Sequence, residues 1–297
     1  MAHATDIPLP IARNTAPTGA VHHVATNSKV YAPTFDCCAT CTKKFGVANK
    51  AIDYLTQNKV KATFFLTGEW MMAHPDATRR IIANENFEVG FHGFSHSDFA
   101  AASTNPKVMA HEINATRDVY KALVKDMYTK GDLSKAAYER RMTANLFRFP
   151  SGNFNDAALA SVRKEGLIPI QWNATADGTT RPQLHTGERL EGSIHLAHAN
   201  MSNGGVQKTD VTFSEFHTNM ASKGYQAVTV SELMKSGTVV YTQTPHSLTA
   251  RDHANILRND QGNARHGYGL HSYQQFMASM NLHSGRGAPI QTNTPRA

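Results

Sequence analysis

The chain predicts an α/β fold, a distorted (β/α) barrel of about seven parallel strands followed by a polar C-terminal tail. Three observations predict it. Short apolar segments alternate with helical patterns, a spacing that makes βαβ units rather than hairpins. About seven such units fit between residues 29 and 236, which suits a closed or nearly closed barrel. Five chemically conspicuous residues, Asp36, His92, Arg148, Trp172 and His198, fall at the C-terminal ends of the expected strands, where such barrels carry their chemistry.

Residues 1–28 are polar, contain proline and show no period, so they read as an irregular arm. Residues 30–35 read as a strand. Pro33 within it has no N–H to give, which predicts an edge or a bulge. A helix follows over 47–57, with Ala48, Ile52 and Leu55 on one face. Residues 61–68 form an apolar strand. Pro75 suits the first turn of a helix that carries Thr78, Ile81 and Ile82. After a strand at 87–91 comes a long helix with Val108, Ile113, Thr116, Val119, Tyr120 and Leu123 inward, on which Glu112 reads as a solvated charge. Residues 126–142 are charged and read as a solvated helical insertion. Strands at 145–149 and 167–172 flank a helix over 157–164 that Gly166 ends. A strand at 193–197, a helix over 213–222 ended by Gly224, a strand at 225–230 and a short helix capped by Ser231 complete the barrel. Residues 237–297 are rich in His, Asn, Gln, Gly and Arg, with only Asp252 and Asp260 acidic. They read as a poorly ordered tail with one weak helix over 272–280.

Composition narrows the function. The 297 residues are 40% hydrophobic and 18% charged, ordinary for a soluble globular protein. The net charge is +7, but the basic residues are scattered with no run of five, so nucleic acid is not an expected partner. No stretch of 18 apolar residues occurs, so no membrane span is expected. The first residues lack a basic segment followed by an apolar core, and no signal peptide is read there.

The order of certain pieces is informative. Asp36 follows the first strand. Ala62-Thr63-Phe64-Phe65-Leu66-Thr67-Gly68, His92-Gly93-Phe94-Ser95-His96 and Phe147-Arg148-Phe149-Pro150-Ser151-Gly152 come next. Trp172 with Asp177, Leu196-Ala197-His198 and the stretch from Gly224 to Leu233 follow. This arrangement resembles the polysaccharide deacetylase (NodB homology) domain, carbohydrate esterase family 4, over about residues 29–236. The resemblance implies a distorted barrel, a divalent metal, most commonly zinc, and hydrolysis of N-acetyl groups on amino-sugar polymers. It also implies roles. Asp36 is the base, with Arg148 fixing it and keeping it ionised. His198 is the proton donor to the amine, and Asp177 pairs with Arg148 or His198. His92 and His96 are metal ligands; four apart on a helical turn, they would point the same way. Trp172, Leu196, Phe149 and Pro150 line the substrate pocket.

The first motif departs from the family. Its pattern has two adjacent aspartates, the second a metal ligand, and here Cys37 stands in the second place, followed by Cys38 and Cys41. Three outcomes stay open: Cys37 ligates as thiolate, water fills the position, or Cys38 and Cys41 form a bridge or bind metal themselves. A thiolate would favour zinc over harder ions. Gly93 and Ser151 stand where a hydroxyl residue and an aromatic are usual, which bears on polymer specificity. Two other functions compete: a related barrel amidohydrolase acting on a small cyclic amide or imide, and a degenerate glycan-binding module. The family is mostly exported or envelope-facing, but location stays open.

Overall fold

The computed structural model describes residues 18–101, 105–201 and 208–283. In chain order the elements are β1 (Ala20–Ala25), β2 (Val30–Cys37), β3 (Gly46–Val47), α1 (Asn49–Gln57), β4 (Ala62–Leu66), α2 (Gly68–Ala73), α3 (Pro75–Ala83) and β5 (Phe87–Phe91). Then come α4 (Pro106–Thr129), α5 (Lys135–Met142), β6 (Leu146–Phe147), a 3-10 turn at Pro150–Gly152, α6 (Asp156–Lys164), β7 (Ile168–Pro169), β8 (Ala174–Thr175), β9 (Gln183–Leu184) and β10 (Ser193–His198). The chain continues through β11 (Asn200–Met201), α7 (Lys208–Ser222), β12 (Gln226–Ala227), α8 (Val230–Met234), β13 (Thr238–Thr242), α9 (Ala250–Arg265), a 3-10 turn at Gly267–Gly269 and α10 (Leu270–His283).

The main sheet runs β7-β6-β5-β4-β2-β10-β8, all parallel, with β9 antiparallel at its end and β12 alongside the start of β2. β2 sits at its centre and is buried on both faces, which is why its sequence reads as a near-continuous apolar run. Its side chains alternate. Tyr31, Phe35 and Cys37 join the larger core between sheet and helices. Ala32 joins the second cluster inside the barrel, with Phe65, Ile170, Trp172 and Ile194. Phe35 stacks on Phe64 at 5.1 Å and meets Phe213 edge-on at 4.8 Å, pinning β2 and β4 under α7. Removing such a buried ring costs about 3–5 kcal/mol.

Several expectations need correction. Pro33 lies in the central strand, not at an edge. It falls between the stretch of β2 paired with β12, at Val30 and Tyr31, and the stretch paired with β4, which begins at Thr34, so the ladder on that side skips it. The arm contains β1, which closes the barrel seam. Val21 bridges Ile170 in parallel, Gln171 N donates to Val21 O at 2.6 Å, and Val24 N donates to Gly192 O at 2.9 Å. Residues 1–17 lie outside the described residues. The cap of α8 is Thr229, whose hydroxyl accepts from Glu232 N while the Glu232 carboxylate accepts from Thr229 N. The largest correction concerns the tail. Over its described residues it forms β13, antiparallel to β1, and then α9 and α10. Thr249 and Asp252 make a capping box that starts α9. No helix among the described residues is long and apolar enough to cross a membrane.

Candidate active site

The alternation along β2 sets the site. Thr34 and Asp36 face the barrel interior, as Ala32 does, and the next residue of that parity is Cys38. Arg148, just past β6, is fully buried beneath them. Its Nη1 donates to Asp36 Oδ1 at 2.8 Å and to Thr34 Oγ1 at 2.7 Å, and its Nη2 donates to Gln171 O at 3.3 Å. The guanidinium also lies 4.2 Å from the Phe65 ring centre and 5.3 Å from that of Trp172. Burial pushes the Asp36 carboxyl up, but the charges of Arg148, His92 and His198 and the Arg148 hydrogen bond outweigh it and hold it below the usual carboxylate range. Asp36 Oδ2 remains free of Arg148 and lies 3.5 Å from His92 Nε2.

His92 and His96 do not share a helical turn. They stand on the loop after β5, where Gly93 and His96 adopt φ of +73° and +59°. A side chain at position 93 would be strained and would press on Glu112 Oε2, which accounts for glycine there. Glu112 is not a solvated charge. It is fully buried and its carboxylate binds the loop: Oε2 accepts from Phe94 N at 2.7 Å and Ser95 N at 2.9 Å, and Oε1 accepts from the hydroxyls of Ser95 and Ser97. His92 Nδ1 sits 2.9 Å from Arg148 O, the position of an N–H donor, which leaves Nε2 as an electron-pair donor toward the cleft.

The cysteines part company. Cys37 faces the apolar core with Phe35, and burial pushes its thiol well above the usual range. Cys38, not Cys37, joins the histidines: Cys38 Sγ and one ring nitrogen each of His92 and His96 all lie within 4.8 Å of one another. Burial pushes the Cys38 thiol up, but the charge of His96 and hydrogen bonds with His198, His92 and His96 pull it well below its usual value. Cys41 forms no bridge with Cys38. All three thiols are free, and burial beside Glu69 raises that of Cys41 to about 12.

On the opposite wall, His198 Nδ1 pairs with Asp177 Oδ2 at 3.0 Å, and Thr209 Oγ1 donates to Asp177 Oδ1. Asp177 therefore serves His198 and not Arg148. Burial lowers the His198 pKa, but its bonds to Asp177 and Cys38 outweigh that and raise it well above the usual imidazole value. Between the walls lies a cleft of about 300 Å³ lined by Asp36, His92, His96, Trp172, Leu196 and His198. Phe149 and Pro150 do not line it. Both are buried, with Phe149 packed on Phe147 and Phe154, and the neighbouring Ser151 and Gly152 face the cleft instead.

Sequence reasoning missed one wall altogether. His246, Leu248, Asp252, Asn255, Ile256 and Asn259, all from the presumed tail, line the same cleft. Farther along α9, Asn263 is fully buried. Its Oδ1 accepts from Cys41 N at 3.1 Å and its Nδ2 donates to Ser95 O at 2.9 Å, so one side chain ties the cysteine loop to the histidine loop. Asp260 Oδ1 accepts from Asp98 N at 3.1 Å.

A model of the polysaccharide deacetylase family matches residues 23–170, about half of the chain. The chain belongs to that family. This polysaccharide deacetylase is 24% identical over 230 residues to a peptidoglycan-N-acetylglucosamine deacetylase of Bacillus cereus, an alignment that spans 74% of this chain and 95% of the relative. Its fold is similar to that of a family 4 carbohydrate esterase from Bacillus anthracis, with a TM-score of 0.53 at 23% identity, covering 74% of this chain and 88% of the other. A CE4 family pseudoenzyme from Bacillus anthracis is similar to it as well, with a TM-score of 0.52 at 18% identity over 73% and 69% of the two chains. Fold alone thus leaves activity to the site. A polysaccharide deacetylase is a hydrolase of N-acetyl carbon–nitrogen bonds, so the groups that matter here are those that handle water, the acyl carbon and the departing amine.

Proposed function

We propose that this polysaccharide deacetylase is a metal-dependent enzyme that removes N-acetyl groups from N-acetylglucosamine polymers, such as chitin oligomers, peptidoglycan or poly-N-acetylglucosamine. The observation that carries the reading is the meeting of two differently tuned pairs, Asp36 with Arg148 and His198 with Asp177, across one cleft from a sulfur and two imidazoles. A binding module needs neither pair.

The donor set fits a metal. A buried thiol whose pKa is pulled down and two imidazoles, each with a donor atom within 4.8 Å of the others, make a three-ligand set of the kind that holds a divalent metal. Cys38, His92 and His96 would hold the ion, and sulfur among the donors favours zinc over manganese or magnesium. A bound divalent ion would supply Lewis-acid polarisation of the acetyl carbonyl and acidify the attacking water. The chain's own groups do the rest. Asp36, kept ionised by Arg148, accepts the proton of the attacking water as the oxygen–carbon bond forms. His198 enters as imidazolium, because Asp177 favours its charged form, and gives its proton to the amine as the carbon–nitrogen bond breaks. Acetate and the free amino sugar result. Leu196 and Trp172 offer apolar surface for the acetyl methyl group.

Acetate release from N-acetylglucosamine oligomers, before and after chelation and with zinc added back, tests the reading. Release that vanishes with chelator and returns with zinc is expected; no release in either state overturns it. Zinc content separates the thiols. Cys38→Ser is expected to lose metal that Cys37→Ser keeps, and equal retention would remove Cys38 from the ligand set.

A further inference from the structure

A second convergence of donors stands on the barrel seam. His22 and His23 are consecutive on β1, and in a regular strand they would face opposite sides. The ladder between β1 and β13 slips at this point: Val21 pairs with Tyr241 and His23 with Val240, so His22 is the extra residue of a bulge. The irregularity brings the two imidazoles together, with their Nδ1 atoms 3.3 Å apart. Glu188, in the turn before β10, completes the group. Its Oε1 lies 3.6 Å from His22 Nδ1 and its Oε2 3.3 Å from His23 Nδ1. Asn173 Nδ2 donates to Glu188 Oε2 at 2.9 Å and Glu188 N donates to His185 O at 3.0 Å, so the carboxylate is held in place.

Those separations have a meaning. Ligands about 2.1 Å from a tetrahedral zinc ion lie about 3.4 Å from one another. The two imidazole nitrogens meet at 3.3 Å, and the carboxylate sets Oε1 3.6 Å from one and Oε2 3.3 Å from the other, so neighbouring donors stand near that spacing. One donor atom from each of the three residues lies within 4.8 Å of the others. We propose that His22, His23 and Glu188 bind a second divalent ion of the zinc class, at a site separate from Cys38, His92 and His96. Two nitrogens and one carboxylate oxygen suit zinc and its borderline neighbours. The His185 ring lies 6.3 Å from that of His22. The ion would tie β1, which closes the barrel, to the turn at 185–188. The adjoining cleft, about 360 Å³, includes His22, His185, His246 and Trp172, and the last two also line the catalytic cleft. Occupancy of the seam would therefore stiffen a wall of the catalytic cleft.

The alternative is two neutral imidazoles sharing an N–H···N bond beside a carboxylate, and metal counting separates the two. The full chain, stripped with chelator, reloaded with zinc and desalted, is expected to hold two zinc ions. His92→Ala and Cys38→Ser are each expected to hold one. His23→Ala and Glu188→Gln are expected to lose the other ion while keeping the one at Cys38. Zinc retained by His92→Ala and lost when His23→Ala is added supports the seam site even if the catalytic set proves empty. A His92→Ala protein with no zinc, or His23→Ala and Glu188→Gln proteins with as much zinc as the parent, overturns it.

Discussion

The two walls of the cleft hold ion pairs of the same formal kind in opposite surroundings. Arg148 and Asp36 are dry, with side chains 0% and 5% exposed, and their atoms are fixed by further bonds to Thr34 and Gln171. His198 and Asp177 are each 32% exposed. A dry pair keeps its charges and its geometry, because separating them would leave an uncompensated charge in a low-dielectric interior. A pair in contact with water can exchange protons with the medium between turnovers. In the proposed mechanism Asp36 gains a proton and His198 loses one at each turnover, so both must be reset, and the His198 pair is the one with direct access to water.

Breaking the dry pair should have the largest effect. Arg148→Met is expected to lose about 3–5 kcal/mol of stability, read as a lowered denaturant midpoint, together with almost all activity. A midpoint within experimental error of the parent would mean that the pair is not structural. Asp36→Asn, which keeps the shape, is expected to lower turnover about 10²–10⁴-fold. The wet pair should behave differently. Asp177→Asn is expected to cost under about 1 kcal/mol in stability but about 100-fold in turnover, and a large stability loss would erase the contrast. Glu112 sharpens it, being a dry carboxylate whose listeners are N–H and O–H groups rather than a cation. Glu112→Gln turns an amide toward those donors and is expected to cost about 1–3 kcal/mol, with weaker zinc retention.

The smallest effect has the opposite sign. Burial raises the Asp260 carboxyl from its ordinary value to about 6. A raised carboxyl stabilises the fold below the unfolded value near 4, and that contribution fades as pH rises through about 6. Asp260→Asn is therefore expected to gain about 1–2 kcal/mol at pH 7 and nothing at pH 4, because the amide oxygen can still accept from Asp98 N. A gain that is equal at both pH values would assign the effect to something other than charge.

Much of this was legible in the sequence, and the failures have physical causes. The strands buried on both faces announce themselves as apolar runs, and the order of motifs locates Asp36, His92, His96, Arg148, Asp177 and His198. β1 was hidden because its bulge breaks the alternation on which strand reading depends. β8 and β9 are two residues each, too short to carry a period. Adjacency puts Cys37 in the place of the second aspartate, and the sequence leaves open whether it, water, or Cys38 with Cys41 serves the metal. Counting by twos from Phe35 would have put Cys37 in the core and Cys38 beside Asp36. α9 offers few apolar positions, so hydrophobic pattern could not find it, although Thr249 and Asp252 spell its start. Nothing local in the sequence distinguishes a buried carboxylate such as Glu112, which receives loop N–H groups, from one facing water.

The Asn263 side chain has a consequence for biosynthesis. It joins Cys41, 222 positions earlier, to Ser95, 168 positions earlier. A chain made at about 5–20 residues per second has its barrel strands available well before α9 emerges. The nascent protein thus passes through a stage in which the sheet is complete while the two loops that carry thiol and imidazoles are not yet clasped. If the site binds metal as proposed, its two loops are clasped only after α9 has been made.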